Sequence, residues 1–458
     1  MNSFSVLPLS SAMLATIQSL DYTEMTPIQA QSLPIILAGK DLIAQAKTGS
    51  GKTAAFGIGL LHQINQPLFS PQALVICPTR ELSDQVSKEI RQLARGMANI
   101  KVVTLCGGAL IGPQIGSLEK GCHVIVGTPG RLLQHLEKGT LKFTHLNTLV
   151  LDEADRMLDM GFYDDIAAIV EWLPKNRQTL LFSATYPDSI ARMSQRFQHH
   201  PETVRVESVH SEEYIRQLFF EVDRNKRTQT IIALLAEHRP TSTLIFCNTK
   251  IDCQTLAKEL AEIGLVVRTL QGDLEQWERE RELVQFDNRS ASVLVATDVA
   301  ARGLDIKELD AVINYELPHD PEVHLHRIGR TGRAGQSGIA FSLFAPEEIS
   351  RVKAIEGYQG QKAEYARAQM AMIPATLNLN APMQTLCISA GRKDKLRPGD
   401  ILGALTGDAG LSANQVGKIK LFDQVAYVAV AVDVAQQALR QLDQGKIKGR
   451  RFRVTLLR

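Results

Sequence analysis

Ala46-Lys47-Thr48-Gly49-Ser50-Gly51-Lys52-Thr53 stands where the short apolar run DLIAQA ends and a helix begins. Glycines let such a loop turn tightly, so that successive backbone N–H groups point into one concavity, and the N-terminus of the following helix adds partial positive charge. A lysine placed like Lys52 reaches the β and γ oxygens of a nucleotide, and a hydroxyl placed like Thr53 ligates Mg2+. The stretch fits a phosphate loop with Ala46 in place of the first glycine. It predicts that Ala46, Thr48, Gly49, Ser50, Gly51, Lys52 and Thr53 hold nucleotide phosphates.

A strand that hands directly to a helix also bears on fold class. Near-continuous apolar runs recur as QALVICP, HVIVGTP, TLVLDEA and QTLLFSAT, then as STLIFCN, SVLVATD, AVINYEL and GIAFSLF. Runs without alternation describe strands covered on both faces, as in parallel sheets. Amphipathic segments between them, such as Glu81 to Leu93 and Lys250 to Ile263, supply the crossover helices of a doubly wound fold. One series ends near Val206 and the next begins near Gln217, with the polar SVHSEEYIR between them as a linker. The expected organisation is an α/β domain over 1–207, a second over 208–365, a linker over 366–382 and a small module over 383–458. The module reads strand, helix, strand, strand, helix, strand, the order of a split-βαβ sheet.

Asp152-Glu153-Ala154-Asp155 follows the run TLVL at once. Asp152 at the strand's end can orient Mg2+, and Glu153 can position and deprotonate a water that attacks a γ-phosphate. The first apolar run of the second series ends in Cys247-Asn-Thr-Lys250, without the glycines of a cradle, so one nucleotide is expected.

At 458 residues, 44% hydrophobic and 22% charged, the chain exceeds one core and is ordinary globular material. Its six cysteines, Cys77, Cys106, Cys122, Cys247, Cys253 and Cys387, form no C-x-x-C pair, which favours reduced thiols over zinc or dithiol chemistry. The N-terminus MNSFSVLPLSS lacks a basic segment followed by an apolar one, and no run is long enough to cross a bilayer. A cytoplasmic protein without a membrane partner is the expectation. The net charge of +2 conceals an asymmetry: Gln384 to Arg458 carries 13 Lys/Arg against 6 Asp/Glu, a surplus of seven that leaves the remainder at minus five. One end of the molecule is basic enough to seek polyanions.

Further motifs stand in order: Pro78-Thr-Arg80-Glu81-Leu, Gly107-Gly108, Thr128-Pro-Gly130-Arg131, Ser183-Ala-Thr185, Ala296-Thr-Asp298 to Arg302-Gly-Leu-Asp305, and His326-Arg-Ile-Gly-Arg330-Thr-Gly-Arg333. With these, the chain from Phe4 to about Ala345 resembles the DEAD-box proteins. The resemblance implies two tandem RecA-like domains and ATP-dependent, RNA-stimulated helicase activity with Mg2+. It assigns adenine recognition to Tyr22 and Gln29, with Asp21 standing where the family often has glycine. Arg330 and Arg333 become ligands of the γ-phosphate, Asp305 of the ribose, and His326 a contact of the acidic quartet, while Ser183 and Thr185 couple nucleotide state to domain closure. Pro78, Thr79, Arg80, Gly108, Thr128, Pro129, Gly130 and Arg131, with Asn248, Gln276, Arg279 and Thr297, become positions that hold one RNA strand by phosphate and ribose. Closure around ATP and RNA would bend that strand and expel its duplex partner.

The module resembles an RNA-recognition motif domain, but its aromatic stacking positions are thin: Tyr427 stands alone on the third strand and Cys387 occupies the first. Its charge lies in Arg392, Lys393, Lys395 and Arg397 and in Lys446, Lys448 and Arg450. With RPGDILGALTGDAGL and GKIKGRRFRV, it resembles the C-terminal domain of a bacterial branch of the family. This implies a grip on a large-subunit ribosomal RNA hairpin and action on the pre-50S particle. A DNA translocase, or a clamp that binds without hydrolysing, remains an alternative, although Glu153, Arg330 and Arg333 speak against the second; oligomeric state is left open.

Overall fold

In a computed structural model of the chain, which describes residues 3–46, 49–206, 215–301, 309–332, 337–368, 376–377, 379, 381–408 and 410–457, the unbroken apolar runs are central strands. Two compact units are present. In the first, β1 (Leu42–Gln45), β2 (Ala73–Ile76), β3 (Val102–Leu105), β4 (Val124–Gly127), β5 (Thr148–Leu151), β6 (Gln178–Ser183) and β7 (Glu202–Arg205) form one sheet in the order β3-β4-β2-β5-β6-β1-β7. Its pairings are all parallel. Strand β2 shows why no alternation appears in the sequence. Ala73 and Val75 enter the core on one face, with Phe56, Val86 and Ile90, while Leu74 and Ile76 enter the core on the other, with Leu132 and Ile169. Successive side chains point to opposite faces, and both faces are covered by helices. The Lys52–His62 helix comes close to the Pro27–Leu37 helix because Gly59 lacks a side chain: a Cβ there would lie 2.2 Å from Ile36 Cγ2.

In the second unit, β8 (Ile215–Glu221), β9 (Thr243–Cys247), β10 (Val267–Leu270), β11 (Val293–Thr297), β12 (Ala311–Asn314), β13 (Gly338–Phe344) and β14 (Glu364–Tyr365) take the order β10-β11-β9-β12-β13-β8-β14. This repeats the first sheet strand for strand. The repeat corrects one sequence expectation: the counterpart of β1 is β8, not the STLIFCN strand β9, which is the counterpart of β2. The conclusion survives, because β8 runs into Val222-Asp223-Arg224-Asn225, equally without glycine. Of the segment read as a linker, 208–214 lie outside the described residues, and Ile215 and Arg216 already belong to β8.

The C-terminal module belongs to the second unit. Its strands β15 (Met383–Ile388), β16 (Val416–Leu421), β17 (Ala426–Ala431) and β18 (Val454–Leu456) pair antiparallel in the order β16-β17-β15-β18. Leu386, Ile388, Val428 and Val430 pack against Ala438 and Leu442 of the Ala435–Gln444 helix. The opposite sheet face, which carries Thr385, Cys387, Lys418, Lys420 and Tyr427, meets the C-terminal part of the Gln276–Asp287 helix and the turn after it. Lys418 and Lys420 bind the two carboxylate oxygens of Asp287 at 2.8 and 2.6 Å. Thr385 Oγ1 accepts from Asn288 Nδ2 at 3.1 Å and lies 2.7 Å from Ser290 Oγ. Tyr427 is only 7% exposed, and burial first, then the neighbouring Cys387 and Glu280, push its hydroxyl pKa up to about 12. The face on which an RNA base would ordinarily stack is therefore covered by the protein itself. Among the described residues the six cysteines are free, and no helix is long and apolar enough to cross a membrane.

Burial alone would raise the Asp287 carboxyl, but Lys420 and Lys418 outweigh it and hold the group below the ordinary carboxylate value. A lowered pKa contributes stability that is complete above the unfolded value and lost as pH falls through the folded one. Asp287→Ala is expected to cost roughly 1 kcal/mol of module docking, a figure discounted for the exposure of both lysines. The measurement is proteolytic cleavage within 366–382, which should quicken in the variant and, for the unsubstituted chain, in high salt.

Candidate ATP and RNA site

Apart from Tyr22 and Gln29, which precede β1, the predicted site in the first unit lies at the C-terminal ends of parallel strands, where open α/β sheets bind ligands. After β1, Gly49 and Gly51 take φ of +84° and +94°, the left-handed region that glycine enters without cost. A Cβ on Gly51 would lie 2.5 Å from Gln29 Nε2. The carboxamide of Gln29 spans two elements: Nε2 donates to the Gly51 carbonyl at 3.1 Å and Oε1 accepts from Thr26 N–H at 2.9 Å. One N–H and one lone pair remain for a base edge. Asp21 adopts φ +59°, so the position where relatives favour glycine does need a left-handed residue. Lys52 is buried and donates to the Ala46 carbonyl at 2.7 Å.

After β5, Asp152 is buried; desolvation, opposed by the Lys52 ammonium, pushes its pKa up to about 7. Its Oδ1 accepts from Glu153 N–H at 3.0 Å. Glu153 sits at φ +52°, unusual for a residue with a side chain. Its Oε2 is buried without a hydrogen-bond partner among the described residues, 3.5 Å from Arg156 Nε. Asp155, quoted in the sequence but given no role there, joins the next strand end: its Oδ2 accepts from the N–H groups of Ala184 and Thr185, each at 3.0 Å, and from Thr185 Oγ1 at 3.3 Å. Ser183 Oγ is buried with no partner among the described residues.

The other three strand ends carry the predicted RNA positions. After β2, Thr79 caps the Arg80–Leu93 helix, and Arg80 lies flat on the backbone after β3, where a Cβ on Gly108 would sit 1.7 Å from Arg80 Nη1. After β4, Thr128 and Pro129 open the Pro129–Glu137 helix; Gly130 follows in its first turn, and Arg131 donates to the Ala109 carbonyl at 3.0 and 3.1 Å. Burial, and then the neighbouring Arg80, lower the Arg131 pKa. Two guanidinium groups that repel each other at one strand-end cluster suit a polyanion.

The second unit repeats this arrangement. Thr249 caps the Lys250–Glu262 helix after β9 as Thr79 does after β2, and Lys250 Nζ lies 3.9 Å from the Cβ position of Gly272, as Arg80 covers Gly107 and Gly108. Lys250 thus matches Arg80, a correspondence visible only once the sheet order is known. Gln276 opens its helix, Arg279 donates to the Ala300 carbonyl at 3.2 Å, and Thr297 ends β11. Arg327, which the sequence offered only as part of a motif, is 1% exposed and binds the ends of β9, β11 and β12 together. It grips Asp298 at 2.7 and 2.6 Å, Asn248 Oδ1 at 2.9 Å, Asn314 Oδ1 at 3.1 Å and the Glu316 carbonyl at 2.7 Å. His326, in the same helix, has Glu322 at 3.9 Å, and Arg330 is buried. Thr48, Asp305 and Arg333 lie outside the described residues. In the module, the two basic segments form a single exposed patch: Lys448 donates to the Lys395 carbonyl at 3.0 Å, and Arg450 lies 3.6 Å from Asp394.

Known families match along the same lines. Residues 26–193 match the DEAD/DEAH box helicase family, 226–335 the helicase conserved C-terminal domain, and 385–456 the DbpA RNA binding domain. Over 459 aligned residues, the full length of both, the chain is 53% identical to the ATP-dependent RNA helicase DbpA of Escherichia coli (strain K12). The chain belongs to the DEAD-box RNA helicases. This DEAD-box helicase is also 45% identical to the DEAD-box ATP-dependent RNA helicase CshA of Bacillus subtilis (strain 168), over 77% of its own length and 72% of that protein. Its fold matches S. cerevisiae Dbp5 bound to RNA and ADP BeF3 with a TM-score of 0.72 and 30% identity, over 81% of this chain and 96% of that one. The expected class, two doubly wound parallel sheets with a small α+β module, is borne out, and so is RNA-stimulated ATP hydrolysis as the family's activity.

In this helicase, Gly108→Ala sets a Cβ against Arg80 and forces a side chain into φ +76°. We expect basal ATP turnover to stay within twofold while RNA stimulation falls by roughly tenfold, from strain of about 1–3 kcal/mol at the contact. Steady-state ATPase assays with and without RNA read both quantities.

Proposed function

We propose that this helicase hydrolyses ATP with Glu153 as base and locally opens duplexes in large-subunit ribosomal RNA within the pre-50S particle, held there by its C-terminal module. The reading is carried by residues 385–456, where a match to the DbpA RNA binding domain coincides with one exposed patch made of Arg392, Lys393, Lys395, Arg397, Lys446, Lys448 and Arg450. With the stacking face covered, phosphate contacts from this patch suit a folded hairpin.

For hydrolysis, the buried Glu153 carboxylate takes a proton from water as the water oxygen bonds to the γ-phosphorus and the bridge to ADP breaks. Lys52 and the glycine loop hold the phosphates, Gln29 and Tyr22 the adenine, and Arg330, Arg333 and Asp305 take the γ-phosphate and ribose roles of the family motif. A carboxylate as buried as Asp152, within electrostatic reach of Lys52 at the start of the helix whose second residue is Thr53, suits a hard cation. Among the described residues no three His, Cys, Asp or Glu side chains converge on a metal position, which fits an ion that leans on substrate phosphates, as Mg2+ does. Held by Thr53 and Asp152, Mg2+ would neutralise phosphate charge. Asp155 passes the state of the acidic loop to Thr185. Pro78 to Arg131, with Asn248, Lys250, Gln276, Arg279 and Thr297, hold the RNA strand by its backbone, which a relative solved with RNA and ADP BeF3 together supports. Residence in the cytoplasm accords with this role.

Lys52→Ala is expected to abolish ATP turnover and leave hairpin binding within twofold. Lys395→Glu with Lys448→Glu should remove the preference for a ribosomal RNA fragment over unstructured RNA as activator, lowering the salt slope of fragment binding by about 2. Persistence of that preference in ATPase assays would overturn the targeting role.

A further inference from the structure

The equivalent strands β3 and β10 each lead into a helix that begins with a large apolar side chain left in solvent. After β3 it is Leu110, 82% exposed, and after β10 it is Trp277, 61% exposed. Isolated apolar residues on a surface need no explanation, but Trp277 roofs a half-open cleft of about 300 Å3 between its helix and the outer strand β10. Trp277 and Arg281, one helical turn apart, line one side, and Arg268 of β10 lines the other. The remaining charges are committed: Glu282 pairs with Arg268 at 3.8 Å, and Glu278 caps its helix by accepting from Glu275 N–H at 2.9 Å. Two guanidinium groups against two carboxylates leave the cleft neutral, which disfavours a phosphate or an acidic peptide. An indole face and flat guanidinium planes, with donors and acceptors at the rim, suit a planar, uncharged polar ring. Gln276 and Arg279, proposed above to hold the RNA backbone, flank Trp277 in the first turn of the same helix.

We propose that Trp277 and this cleft form a base-stacking subsite that takes one unpaired nucleobase of the strand whose backbone Gln276 and Arg279 hold. The subsite rests on the RNA-strand reading of that helix and adds to it a contact with a base where the other contacts are with phosphate and ribose. Stacking on an indole tolerates any base and favours purines by their larger faces. A strand already single at this point gains the contact at once, whereas a paired base must first unstack.

The test uses the full chain with Trp172→Phe, which leaves Trp277 as the single indole, since the sequence holds two tryptophans. An oligoadenylate is titrated in the presence of ADP and beryllium fluoride, with indole emission read in one series and the anisotropy of a fluorescein-labelled strand in another. Emission should fall in step with the rise in anisotropy. Trp277→Ala should weaken binding by roughly tenfold and Trp277→Phe by much less. Bound RNA with unchanged emission, together with unweakened binding by Trp277→Ala, overturns the subsite and leaves the strand reading standing. Equal quenching by inorganic polyphosphate, which has no base, also overturns it. A flat anisotropy curve overturns the strand reading and the subsite with it.

Discussion

A parallel sheet buried on both faces leaves its chain one place to meet solvent usefully, the edge where strands hand over to helices. Interior strands such as β2, β4 and β5 have every residue buried, so chemistry is excluded from them and confined to the loops beyond. All strands of one sheet point the same way, so these loops converge. Six strand ends therefore suffice to bring the glycine loop, the acidic quartet, the serine-threonine turn and the arginine-bearing turns of the first unit to one rim.

The strand order then sorts that rim. Positions proposed for RNA follow β2, β3 and β4, which occupy one half of the sheet, and positions proposed for ATP follow β5, β6 and β1, which occupy the other. The second unit divides in the same way, with Asn248, Gln276 and Thr297 after β9, β10 and β11. Neighbouring strand ends are joined by buried polar ties, Asp155 to Thr185 between the ends of β5 and β6 in the first unit and Arg327 across the ends of β9, β11 and β12 in the second. Such ties are held in fixed geometry by their burial, since an unpaired carboxylate or guanidinium there is costly. A shift at one loop is thereby transmitted to its neighbour.

Much of this could be read from residues alone, and the failures have physical causes. The central strands announced themselves through unbroken apolar runs, and the glycine loop through its spacing. Val102–Leu105 and Val267–Leu270 did not, because outer strands are half exposed and their sequences mix polar with apolar residues. Sheet order is a matter of pairing at a distance, so the likeness of Lys250 to Arg80 and of β8 to β1 lay outside any local reading. Arg327 was hidden for a related reason: its four partner residues come from three separate segments. The module's order of elements was plain in its sequence, and so was its lack of aromatics; what covers its sheet was not, because Asp287 and Asn288 lie about a hundred residues away.

The two lysines on Asp287 also have a metric consequence. A module free on its tether would let the motor sample every duplex within the length of the chain. Seated on the second unit's sheet domain, it makes the spacing between the proposed hairpin grip and the proposed strand-holding rim a property of folded protein, of the kind a caliper has. On the proposed function, which helix of a large RNA is opened would then depend on its offset from the anchored hairpin, and substrate choice would become a question of distance as much as of sequence.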